Sequence, residues 1–290
     1  MNESKNTNYL MLAGVLFSIA IISYAWINPV QKPVTGNLES NIEKQFIAQI
    51  IELPIVWGNL GGQMVSAGVI DSEKFESIYA IRNDLKNETK DLLYKSDNGN
   101  LKISEKNSGL ILNLLWAFGL GNKNKILEEG PIIDSRFGGA DKFASTGGWS
   151  LTKGNVMEHY SKHNFIILTE KQQTLVEEVS KNIYRPCCDN ATYFPDCNHG
   201  MAMLGLLELL ASQGVNEDQM YKVALQVNFL WFPDTYLTIA KYLKEKKNIN
   251  WADADPKEVL GYNYSSASGY QNILSQVTPL ETQSGGSCGI

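Results

Sequence analysis

"CNHGMAMLGLLELLASQG", Cys197 to Gly214, decides the fold class of this chain. After His199 the run is dominated by Leu, Met, Ala and Gly, has no proline, and is too long for an ordinary strand. It reads as a helix, and Gly214 closes it, glycine being the residue that accepts the left-handed backbone past a helix C-terminus. Pro186 and Pro195 bracket the loop in front of it, so Cys197 falls at or beside the helix N-terminus. There the free amides and the positive dipole end favour thiolate over thiol.

The same helical grammar extends outward. Asp71 stands before "SEKFESIYAIRNDLKNETKDLLY", where Phe75, Ile78, Ile81, Leu85 and Leu92 recur at near-helical spacing. Ser104 is placed to cap the apolar helix that contains "LILNLLWAFGLG", Leu110 to Gly121. Three further N-termini fit the capping-box pattern: Asn155 with Glu158, Thr169 with Gln172, and Asn216 with Gln219. Pro233 interrupts the apolar run after "VALQVNFLWF", and Asp255-Pro256 opens a later short helix. No alternating run argues for a sheet; "FIILT", Phe165 to Thr169, is the best strand candidate. The expected class is all-α, a multi-helix bundle with Gly-rich loops, preceded by one N-terminal transmembrane helix.

That transmembrane helix is expected at 9–27, "YLMLAGVLFSIAIISYAWI", which carries no charge. As a helix it spans about 28 Å, close to a bilayer's hydrocarbon core. Tyr9, Tyr24 and Trp26 suit the interfaces. A cleaved signal peptide is the competing reading, with Lys5 as its positive region and Ser23-Tyr24-Ala25 as its cleavage site. Either reading places the rest of the chain outside the cytoplasm. A short tail, 1–8, precedes the span, and "NPVQKPVTGN" at 28–37 is a linker. The helical extracytoplasmic domain is expected over 38–282, and 283–290 forms a flexible Gly/Ser tail carrying Cys288. The net charge of −6, with no long basic run, argues against a nucleic-acid partner.

Chemistry concentrates just upstream of the opening helix. The chain has four cysteines and three histidines, and six of these seven lie between His159 and His199. His159 and His163 are four apart, so on a helix capped by Asn155 both imidazoles would share a face. Tyr160 stands where a zinc protease would place its glutamate, so that motif is absent. Cys187-Cys188, then Cys197 and His199 after a spacer, supply three thiols and an imidazole. On the helix Cys197 and Met201 share one face, with His199 and Met203 roughly opposite.

Three readings compete. A metal centre would use Cys187, Cys188, Cys197 and His199 as core ligands, completed or flanked by His159 and His163, and would hold zinc, or copper if a methionine joins. A disulfide-stapled, non-catalytic interaction domain would pair four cysteines in one of three ways, Cys288 included. A thiol-based redox enzyme would use a low-pKa Cys197 with its neighbours. Cys197, His163 and Asn164 also supply the residue types of a cysteine hydrolase. Elsewhere structure is the better reading: Trp57, Trp116, Trp231 and Trp251 belong with the core. "RFGGADKFASTGGWS", Arg136 to Ser150, matches no phosphate-binding pattern and reads as an ordered loop over the core.

Overall fold

The computed structural model describes residues 50–278, so the proposed span at 9–27, the linker at 28–37 and Cys288 lie outside the described residues. What is described is mainly helical, with one small two-stranded sheet.

The sheet is the feature the sequence did not announce. Strand β1 (Ile51–Gly58) pairs antiparallel with β2 (Asn98–Ile103). In β1, Leu53, Ile55 and Trp57 are buried while Glu52, Pro54 and Val56 alternate outward. The register slips between Glu52 and Val56, around Pro54, which has no N–H to give to a ladder. Gln213 supplies a side-chain amide in place of a third strand: it accepts from Val56 N at 2.7 Å and donates to Val56 O at 3.0 Å. "FIILT" forms no strand; Ile167 is exposed to solvent and the segment runs as irregular chain.

Three helices lie between the strands in sequence: α1 (Leu60–Ala67), α2 (Ser72–Tyr79) and α3 (Asn83–Tyr94). Gly68, at φ 85°, terminates α1 in the left-handed conformation. Asp71 caps α2 by accepting from the amides of Glu73 and Lys74. The expected single helix over 72–94 breaks after Tyr79, because Phe75, Tyr79, Leu85 and Leu93 are all buried but Ile81 is 92% exposed at the bend.

The core is built on two helices, α4 (Ser108–Gly121) and α7 (Asn198–Ser212), which make the most extensive helix-to-helix contact in the described chain. Both are buried almost all round, which explains their apolar composition. They approach backbone to backbone. A Cβ on Gly119 would lie 2.4 Å from Met201 O, and one on Gly205 would lie 2.5 Å from Leu115 O. The α4 start falls at Ser108, not Ser104; the Ser104 amide and hydroxyl donate to Asn107 Oδ1, tying the approach into a turn first.

Further helices surround this pair: α5 (Lys125–Glu129), α6 (Glu170–Ser180), α8 (Glu217–Trp231), α9 (Pro233–Tyr242), α10 (Pro256–Leu260), α11 (Tyr262–Ser265) and α12 (Ala267–Leu274). Thr169 and Gln172 form a full capping box on α6, Asn216 caps α8, Pro233 opens α9 and Asp255 caps α10. Trp57, Trp116 and Trp251 are buried. Over 136–150 the chain is a series of short turns whose Trp149 packs edge-on against Trp116 and donates to Val69 O. Among the described residues no helix is long and apolar enough to cross a membrane.

Candidate metal centre

The site occupies the segment between α6 and α7. Its backbone is pinned to three neighbours. Tyr184 N donates to Leu260 O, Tyr193 N to Ser180 O, and Ala267 N to Cys188 O, the last joining the loop to the first turn of α12. Asp189 strengthens that joint by accepting from the amide and hydroxyl of Ser268.

Inside the loop stands Arg185, only 1% exposed. Its guanidinium is surrounded by acceptors of the loop itself. Nη1 donates to Asn190 O at 2.8 Å, Nη2 to Phe194 O at 3.1 Å and Asp196 Oδ1 at 2.6 Å, and Nε to Cys197 Sγ at 3.0 Å. Asp196 uses its other oxygen to accept from Asn190 Nδ2 at 2.8 Å. A buried arginine demands partners for its donors, and here one side chain organises a twelve-residue excursion by collecting them. Gly200 makes the room, since a Cβ there would lie 2.5 Å from the guanidinium carbon.

Three sulfurs converge beside this guanidinium. Cys197 is the N-cap of α7, and its Sγ accepts from Gly200 N at 3.4 Å. Cys187 Sγ lies 3.4 Å from Cys197 Sγ. Cys188 Sγ approaches Asp196 Oδ1 at 3.7 Å. All three cysteines are free, half-buried, and have their sulfurs within 4.8 Å of one another, close enough to bind one metal ion.

The electrostatics place one negative charge in the cluster. Thiol hydrogen bonds from Cys187 and Cys188, helped by Arg185, hold Cys197 well below the ordinary thiol range in spite of its burial. Cys187 is pushed far up because its hydrogen bonds to Cys188 and Cys197 and its burial all favour the protonated form. For Cys188 a hydrogen bond with Cys187 acts downward, but the interaction with Cys197 and burial outweigh it and raise the thiol to about 12. Without an ion, therefore, one thiolate at Cys197 is shared by two thiols and lies against a guanidinium that it shares with Asp196.

The histidines are elsewhere. His199 follows Cys197 by two residues, which on a helix turns it to the other side. Its ring packs at 4.4 Å from Phe232 and 5.6 Å from Trp231, centroid to centroid. Burial lowers its pKa to about 4, so it is neutral at physiological pH. His159 and His163 meet each other, His159 Nδ1 lying 3.1 Å from His163 Nε2, but they do so without the expected helix. Asn155 caps only a three-residue turn, Val156–Glu158, and Ser161 at φ 50° ends any continuation. The pair is fastened to the end of α4 by His163 N to Gly121 O and Lys123 N to His163 O. Of the six residues expected to ligate, the group that converges is Cys187, Cys188 and Cys197.

Arg185 and Asp196 were not singled out from the sequence. The signal was present: each stands within two residues of a cysteine, inside a loop where solvated charges would have no need to sit. No protein-family model, curated protein sequence or solved structure matches the chain. What fold and site define is a mainly helical domain with a three-cysteine cluster organised by a buried arginine.

Proposed function

We propose that this protein binds a soft metal ion through Cys187, Cys188 and Cys197, and that the ion is Cu(I). The supporting observation is the convergence of three sulfurs, with no fourth ligand joining them among the described residues. Structural zinc is almost always held by four protein ligands, whereas thiolates alone satisfy a cuprous ion. His199 is committed to its aromatic neighbours, and Asp196, the nearest oxygen donor, is held by Arg185 and Asn190. Loading displaces the protons of Cys187 and Cys188 and leaves Arg185 to offset part of the added negative charge. We further propose that the domain works outside the cytoplasm on a membrane anchor at 9–27; the uncharged 19-residue run supports this reading.

Metal content of protein purified without chelator, with thiols counted after denaturation, tests the centre. One copper per chain with the cysteines recovered as thiols is expected. Absence of metal in protein expressed with copper would refute it. Protease added to intact cells or spheroplasts tests location: digestion of the domain is expected, and full protection contradicts it.

The 3.4 Å approach of Cys187 to Cys197 favours a second reading, a redox-active dithiol. Cys197 thiolate would attack an external disulfide and Cys187 would resolve the mixed disulfide, leaving a Cys187–Cys197 bond and two reduced external thiols. Thiolate transfer and metal binding need the same sulfurs, so thiol counts and metal content separate them.

A further inference from the structure

We propose that His159 and His163 form a second metal site, independent of the cysteines, that takes a borderline divalent ion such as Zn²⁺ through His159 Nδ1 and His163 Nε2. The two nitrogens lie 3.1 Å apart. Two imidazole nitrogens on one tetrahedral zinc, each at 2.0–2.1 Å, are separated by about 3.3 Å, so the spacing already suits one ion and the rings need to turn to aim both nitrogens at it.

The surroundings fix His159 in the ligating tautomer. His159 Nε2 lies 3.0 Å from Lys153 O, and a carbonyl can only accept, so the proton of the neutral ring is on Nε2 and the lone pair is on Nδ1. A ring nitrogen donated to a backbone carbonyl is the usual support of a metal-bound histidine. The Cε1 edge of the His159 ring, between its two nitrogens, meets Gly68, where an added Cβ would stand 3.2 Å from Cε1. His163 stacks on Phe165 with ring centroids 5.2 Å apart, and its backbone is tied on both sides to the end of α4.

Without metal, His163 Nε2–H donates to His159 Nδ1. An ion takes that proton's place: Nε2 gives up its proton, Nδ1 of the same ring gains one, and His163 stays neutral with no net proton released. With two protein ligands in place of the four of a structural zinc site, the ion is held weakly and exchangeably, and water fills the remaining positions at half-buried His163. Imidazole ligands suit zinc and other borderline ions, whereas the three sulfurs suit a softer one, so the two sites differ in selectivity.

The histidine ring signals of the full chain in nitrogen-15 NMR spectra, followed as zinc is added, report this site residue by residue whatever happens at the cysteines. The three histidines are assigned by single variants. His159 and His163 are expected to shift together to saturation, while His199, beside Cys197, reports on the cysteines instead. His163→Gln keeps a donor for His159 Nδ1 but removes a ligand, and is expected to raise the half-saturating zinc concentration for His159 by roughly tenfold or more. Rings unmoved by millimolar zinc, or a His159 response undiminished in His163→Gln, would overturn the site.

Discussion

Arg185 and Cys197 form a charge-assisted contact at 3.0 Å, Nε to Sγ, at the N-terminus of α7, and the same guanidinium reaches Asp196 at 2.6 Å through Nη2. One buried cation thus closes the loop, stabilises the thiolate and sets the sulfur of the helix cap in place. The structural and chemical roles of the segment share a residue, which determines how its variants should behave.

Replacing Arg185 leaves Asp196 and two loop carbonyls without their partner in a buried setting. Arg185→Met is expected to cost about 3–5 kcal/mol, measured by denaturant unfolding. Arg185→Lys should recover little of this, because an ammonium cannot reproduce the planar fork that meets four acceptors. In any variant that folds, thiolate absorbance should appear at higher pH than in the native chain, since part of what holds Cys197 ionised has gone.

Cys197→Ser separates cap from ligand. Serine is a preferred N-cap, so α7 keeps its first-turn bond and stability should stay within about 1 kcal/mol of the native value. Metal retention should be lost. A variant that keeps its metal would remove Cys197 from the centre.

The crossing of α4 and α7 depends on two glycines. Gly119→Ala or Gly205→Ala places a methyl group inside contact distance of a rigid backbone carbonyl, at 2.4 and 2.5 Å respectively. Each is expected to destabilise the chain by about 1–3 kcal/mol or more, visible as a lowered Tm.

Much of this architecture was legible. The helices announced themselves through length, composition and caps, and Asp71, Thr169, Asn216 and Asp255 all cap as expected. The sheet was overlooked because β1 alternates over only a few residues and contains Pro54, which removes a donor without ending the strand. Clustering located the cysteines, but pairing the histidines with them assumed one site where the fold makes two groups. Proximity in sequence cannot tell whether residues 159–163 return to the loop at 187–197, because tertiary packing decides that.

Two buried titrating groups in and around α7 give opposite pH dependences. Burial raises Glu208 to about 8 from an ordinary 4.5, so the fold keeps a proton that the unfolded chain has released, and stability falls as pH rises between those values. His199, lowered to about 4 from 6.5, resists a proton that the unfolded chain accepts, so its contribution is lost as pH falls from 6.5 to 4. The two oppose each other below pH 6.5, and above it only Glu208 of this pair acts. Glu208 contributes a loss on the order of 2 kcal/mol between pH 6.5 and 8, opposed over the same range by Cys197, whose lowered pKa adds stability as pH rises; the Glu208 part is read as the difference in slope between native and Glu208→Gln protein in unfolding curves taken across the range.

The central claim is that three thiolates share one cuprous ion. X-ray absorption at the copper edge of the Cu(I)-loaded full chain reads the coordination shell directly. A three-coordinate shell of sulfur alone, one copper per chain, is the predicted result, falling to two sulfurs or to no bound copper in Cys188→Ser. A shell containing imidazole nitrogen, or one with two sulfurs in the native chain, would contradict the three-cysteine centre.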